Sequence, residues 1–283
     1  TKLMLSTRQN YLQETEAGLQ TQSYEQIYKV SKRLNDIWES ELAYHSIYSH
    51  RDRSGYKTAI LDDFIKLKNR FYWQADHYLE GSLGYSLLDR KFLNYQLHLS
   101  NYFYFASLKI YHHLSYNHEL FEFWNEVSRK YINDNIRISA SDYQLTLDYN
   151  LGRIDRNFIG SQNQLGINDF IKYSLSLKRE FRRNLQLGIN YQFQDFASES
   201  ALYYTPIDKK LFGLDASYYW EYQNIYNYLS TNLQIDNYQN LEQSYALEFG
   251  YNFSSFSASI SYSRFENIYY QSDSINCLLR GKF

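Results

Sequence analysis

The chain has 283 residues, with 29 Lys and Arg against 31 Asp and Glu, a net charge of -2. That balance excludes the strong whole-molecule field that gathers nucleic acid or an anionic membrane surface. Tyr (32) and Phe (18) are abundant while Pro and Met occur once each, which suits pleated strands and not an ordinary helical domain.

Mean hydropathy is -0.61, and no window approaches the roughly 18 consecutive apolar residues of a membrane helix. A β-barrel in a membrane reconciles a hydrophilic average with an apolar surface, because only every second residue faces lipid. Thr1-Lys2-Leu3-Met4 already alternates, so no signal peptide is read. A barrel that must first cross an inner membrane implies a removed signal or an absent N-terminal region.

In chain order, the first 70 residues alternate least cleanly. Leu42, Tyr44 and Tyr48 suggest one strand and residues 59–68 another. Leu93, Tyr95, Leu97 and Leu99 then oppose Asn94, Gln96 and His98, and Ala106, Leu108, Ile110 and Leu114 oppose Ser107, Lys109, Tyr111 and His113. Residues 117–127 are expected as a loop. Tyr143, Leu145, Leu147 and Tyr149 alternate with Gln144, Thr146, Asp148 and Asn150, and a second long loop is expected over 153–166.

Ile171, Tyr173, Leu175 and Leu177 lead through a tight Arg182-Arg183-Asn184 turn to Leu185, Leu187, Ile189, Tyr191 and Phe193. Shorter loops are expected at 197–202 and 266–272. The clearest alternation comes last, in Tyr245–Tyr251, Phe256–Tyr262 and Ile275–Phe283. Period two places each set on one face.

These elements predict an all-β chain, a single domain over 1–283, folded as a transmembrane antiparallel up-and-down β-barrel. About sixteen strands fit, with fourteen the alternative, since boundaries near 10–30 and 70–90 are ambiguous. Aromatic residues at strand ends fit the headgroup level. A soluble sandwich would need more turn-forming Pro and Gly.

The inward face carries amides, hydroxyls and charges. A barrel of this size is too wide to fill with side chains, so it encloses a channel or a plug. Tyr111, Asp148, Asn190, Gln192, Tyr226, Tyr228, Asn232, Asp236, Glu248 and Arg280 are the candidates for a transport path.

Tyr203-Tyr204-Thr205-Pro206, leading into residues 207–214, resembles a Tyr-(Tyr/Phe)-Ser-Pro segment of exopolysaccharide secretion porins, those exporting cellulose or poly-N-acetylglucosamine. The resemblance covers about a dozen residues, and Thr205 departs from the usual Ser. It implies a sixteen-stranded barrel that follows a periplasmic tetratricopeptide-repeat region absent from this chain. It also implies a passive conduit for a polysaccharide pushed outward by an inner-membrane synthase. The terminal Phe283, sharing a face with Leu279 and Gly281, resembles the C-terminal signal read by barrel-assembly machinery.

Other signals carry less. His112, His113 and His118 cross both faces of a strand without ligand spacing, so no metal or cofactor is expected. Glu39 and Glu41 share a face and read as lumen charge, and no Gly-x-Ser-x-Gly elbow marks a hydrolase, so no enzyme is expected. Cys277 reads as a small apolar residue on the lipid face. No apolar patch stands out beyond the lipid belt, which favours a monomer.

The expected location is a bacterial outer membrane, in contact with lipid and lipopolysaccharide. Three functions remain open: polysaccharide export, a general or solute-selective diffusion porin, and a scaffold or translocation barrel of another outer-membrane assembly.

Overall fold

A computed structural model describes residues 3–16, 19–53, 56–74, 77–86, 93–105, 107–122, 127–156, 168–181, 184–198, 206–268 and 270–282. The strands are β1 Leu3–Glu16, β2 Leu19–Arg33, β3 Trp38–Arg53, β4 Tyr56–Gln74, β5 His77–Ser86, β6 Leu93–Phe105, β7 Leu108–Glu122 and β8 Val127–Ala140. They continue as β9 Tyr143–Arg156, β10 Asn168–Phe181, β11 Leu185–Phe196, β12 Lys209–Tyr222, β13 Ile225–Asp236, β14 Leu241–Asn252, β15 Phe256–Glu266 and β16 Tyr270–Lys282.

Each strand pairs with its sequence neighbours, and β1 pairs antiparallel with β16, so the sheet closes on itself. Closure leaves no edge strand, which a sheet in hydrocarbon requires. The strand number is sixteen, not fourteen. Sixteen strands spaced about 4.8 Å apart and tilted by about 40° enclose a wall on the order of 30 Å across.

Register fixes which face is outside. Leu229 lies between Tyr218 and Leu247, and Leu247 between Leu229 and Tyr262; all four are large apolar or aromatic side chains open to the exterior. One residue along, Tyr228 lies between Tyr219 and Glu248 on the inner face. Trp38, Phe71, Trp73, Phe105, Tyr143, Trp220, Tyr222 and Phe256 gather beside the turns at the end that carries both termini, where they form an aromatic girdle. The strand ends that flank the longest connections, Arg156 and Asn168, and Phe196 and Lys209, lie at the other end.

Three expected loops shrink. β7 continues to Glu122 and β8 opens at Val127. A register shift between Leu120 and Glu122 marks a bulge there, and one extra residue breaks the period that sequence reading relies on. β9 runs on to Arg156; Arg153 faces outward but pairs with Asp169 at 2.7 Å, because this part of the strand projects past the apolar belt. Only residues 267–269 separate β15 from β16.

Two turns at the termini end, 141–142 and 223–224, are tight. Ser141 (φ 52°) and Gln223 (φ 54°) adopt the left-handed region without being glycine, as two-residue hairpin connections demand.

Candidate functional site

The candidate site is the inner wall, and its texture comes from glycines placed on the inward rows. Gly213 sits in register between Asn190 on β11 and Gln234 on β13. A Cβ there would lie 2.5 Å from Gln234 Cγ and 2.8 Å from Asn190 Oδ1. With hydrogen in that place, Gln234 Nε2 crosses the whole of β12 to donate to Asn190 Oδ1 at 2.5 Å.

Gly188 does the same for Lys178, whose Nζ passes over it to reach Asp215 Oδ1 at 3.8 Å. Gly250 lies beneath the Tyr226 ring, leaving no room for a Cβ. These side chains therefore lie flat against the wall.

The arc from β8 to β15 is lined by amides and hydroxyls. Asn133 donates to Asn150 at 2.9 Å and Asn232 to Asp215 at 3.0 Å. Asp148 accepts from Asn135 and from Ser174. Tyr226 donates to Glu248 at 2.8 Å. Nearer the end away from the termini, Ile154, Phe170 and Phe196 form a small buried cluster with Tyr131 against it. The Arg129 guanidinium lies 4.7 Å from the centre of the Tyr131 ring.

The opposite arc, β2 to β6, is charged, and Lys29, Glu39, Glu41, Lys68, Arg70 and Glu80 are linked to one another along it. Glu41 lies 3.9 Å from Lys29 and 3.5 Å from Lys68, and Lys68 lies 3.8 Å from Glu80. Glu80 binds Arg70 at 2.5 Å. Arg70 donates to Tyr72 at 2.9 Å, and Tyr72 donates to Glu39 at 2.9 Å. Lys66 donates to Gln96 at 2.8 Å. Alternating signs a few ångströms apart cancel at the distance of a passing solute. Lys209 and Glu242 form a further pair, both buried in the wall.

The ten residues singled out from sequence all sit on inward rows, but they are not equally open. Asp236 is buried and its carboxylate caps the β13–β14 turn, accepting from the Tyr238 and Asn240 backbone N–H groups at 2.9 and 2.8 Å. Asn190 is buried beneath Gln234. Asp148, Glu248 and Asn232 are half-buried and hydrogen-bonded as above, and Gln192 is half-buried on the same row system.

Tyr228 is 37% exposed, and Arg280 is exposed on the wall of a recess of about 470 Å³ that it shares with Arg8, Lys29, Glu41, Glu248 and Asn276. Tyr111 packs against Tyr102 at 4.7 Å and lies 5.8 Å from the Arg137 guanidinium. Pro206 is buried on the approach to β12; Tyr203, Tyr204, Thr205 and Phe283 lie outside the described residues.

Sequence reading missed the cross-strand ladder, because its members are brought together from β2 to β6. It also missed a chain in which Ser100 Oγ lies 2.7 Å from His113 Nδ1 and His113 Nε2 lies 3.2 Å from His98 Nδ1. This has the spacing of a nucleophile and its base, but Ser100 is 0% exposed and no substrate reaches its hydroxyl. The three residues brace the β6–β7 wall.

No family model matches this chain, and no curated protein matches it in sequence. Solved structures do match its fold. A bacterial polysaccharide outer membrane secretin superposes with a TM-score of 0.66 at 10% identity, over 99% of this chain and 98% of that one. OccD3 (OpdP) of Pseudomonas aeruginosa gives 0.51 at 11% identity, over 100% and 91%. OccAB3 of Acinetobacter baumannii gives 0.50 at 10% identity, over 100% and 99%. The chain thus has the fold of the bacterial outer-membrane barrels, with a wet inner wall and an apolar outer one.

Proposed function

We propose that this barrel is a passive outer-membrane conduit through which a hydrated, uncharged polysaccharide leaves the cell. The observation that carries this reading is the inner wall itself. It offers amides, hydroxyls and tyrosine faces, and the Lys29, Glu41, Lys68, Glu80 and Arg70 charges of the β2–β5 wall are paired with one another.

A sliding polymer needs many weak, replaceable hydrogen bonds and no deep well in which to stop. Aromatic faces suit the apolar faces of sugar rings, and Tyr228, Tyr111 and Tyr226 supply them. The cancelled β2–β5 ladder offers no extended single-sign track to an anionic or a cationic polymer, which favours a neutral glycan. The similarity in fold to a polysaccharide outer membrane secretin and the Tyr203–Pro206 segment support the same reading.

In this reading the energy comes from an inner-membrane synthase, with a periplasmic repeat region guiding the polymer to the pore. The barrel enters the membrane through assembly machinery that reads Phe283, and lipopolysaccharide surrounds it. Similarity in fold to the Occ barrels supports a second reading, a solute-selective diffusion porin.

Deleting the gene in its host separates the two. Loss of surface polysaccharide with polymer accumulating in the periplasm is the expected result. Unchanged surface polysaccharide with slower uptake of a small solute would favour the porin.

A further inference from the structure

The outer wall is not uniform. From β9 to β16 the middle of each outward row carries Leu, Ile, Tyr, Ala, Thr or Cys, as in Leu147, Leu175, Ile189, Leu214, Leu247 and Ile260. From β1 to β8 that belt is interrupted. Gln9, Gln26, Ser46 and Asp63 stand in register across β1 to β4 on outward positions. Asn101 on β6 lies in register with His112 on β7.

His112 Nε2 in turn lies 2.9 Å from Asp134 Oδ1. Asp134 stands midway along β8, in register between Leu114 and Tyr149, with Ile132 and Ile136 two residues away on the same face. Both side chains remain about one-third exposed, at 30% and 36%.

Hydrocarbon offers these groups no partner, and a charged or imidazole group at that depth is costly there. Lipid headgroups and lipopolysaccharide sugars lie at the rims, away from the middle of β8. The groups left open are therefore matched to protein.

We propose that the outer wall beside β7 and β8 is the contact face between two copies of this chain, related by a two-fold axis along the membrane normal. Two features favour a second copy over another partner. Copies embedded alike present mid-depth polar groups at equal heights, which an unrelated protein does so only by coincidence. The patch also carries both an acid, Asp134, and a base, His112, on adjacent strands. A two-fold axis between them sets the acid of each copy opposite the base of the other, the self-complementarity of an isologous contact. The apolar patch that sequence reading looks for is the wrong signal in a membrane, where every outer surface is apolar.

Disulfide trapping in native outer membranes tests this. The full chain carries Cys277→Ser, which removes the exposed native thiol, and one new thiol at Leu114→Cys beside the patch or at Leu247→Cys on the far wall. Oxidation is expected to give a covalent species of twice the chain mass from Leu114→Cys and none from Leu247→Cys. Adding His112→Leu with Asp134→Leu replaces both partners by apolar groups, so the barrel folds, and the trapped dimer is expected to be lost. Light scattering in mild detergent should show the same change from two chains to one. Trapping at neither position, trapping at both equally, or a cross-link to a protein of another mass would overturn the proposal.

Discussion

At the scale of single residues, the inner wall depends on what is missing as much as on what is present. Gly213 allows Gln234 to lie across β12 and reach Asn190. Gly213→Leu forces side-chain carbons into space already filled and breaks that bond, at a cost of roughly 1–3 kcal/mol. Gly81 is the control, on the outward row with nothing within 4 Å of a built Cβ. Gly81→Leu should leave stability unchanged or raise it. Equilibrium unfolding of both variants in the same lipid decides this, and equal losses would contradict the assignment of faces.

Arg70 is the second case. Its guanidinium binds Glu80 at 2.5 Å and lies 3.8 Å from Glu39, with Tyr72 accepting from Arg70 and donating to Glu39. Arg70→Gln leaves both carboxylates facing the passage, so the pore should turn toward cations, read as a shift of reversal potential in a salt gradient. The Arg70 side chain is 26% exposed in a wet lumen. The stability loss should therefore sit nearer the roughly 1 kcal/mol of a solvated pair than the ~3–5 kcal/mol of breaking a dry one. An unchanged reversal potential would mean that ions pass out of reach of this ladder.

At the scale of strands, alternation carries the fold, and it can be tested on two residues. Leu247 faces outward between Leu229 and Tyr262, whereas Ser259 faces inward between Gly250 and Leu278. Leu247→Arg should cost about 2–4 kcal/mol in a bilayer while Ser259→Arg costs little. Unfolding in lipid vesicles measures both, and similar costs would exchange inside for outside.

The strands from β9 onward were legible in sequence because Leu145, Leu175, Leu187, Leu229 and Leu247 alternate against polar residues without interruption. β3 and β4 were legible only in part, through Leu42, Tyr44, Tyr48 and residues 59–68, and β1 and β2 were not, because Gln9 and Gln26 occupy outward positions where the pattern expects apolar ones. β7 was cut short in the reading by the bulge before Glu122. The inward orientation of Tyr226, Tyr228, Asn232 and Glu248 followed from parity alone. What parity could not supply is reach across strands. It did not show that Asp236 is occupied by a turn, that Asn190 lies under Gln234, or that Lys29, Glu41, Lys68, Glu80 and Arg70 form one ladder.

At the scale of the whole molecule, sixteen strands and a flat-lying inner wall give a passage on the order of 15–20 Å wide once inward side chains are subtracted. One arc is rich in amides and hydroxyls with charges such as Asp148, Lys178, Asp215 and Glu248 among them, the other carries the Lys29–Arg70 ladder of opposed charges, and tyrosines punctuate both. Such a passage should conduct ions freely and engage sugars briefly. On the proposed function, the cargo that suits this passage is an uncharged glycan chain.

The most direct test is single-channel conductance of the purified barrel in a planar bilayer, with neutral glucan oligomers and cationic amino-sugar oligomers added in turn. Transient blocks by the glucan oligomers, growing longer with chain length, and weaker blocks by the amino-sugar oligomers are expected. An open pore indifferent to both, or one held only by the charged oligomers, would contradict it.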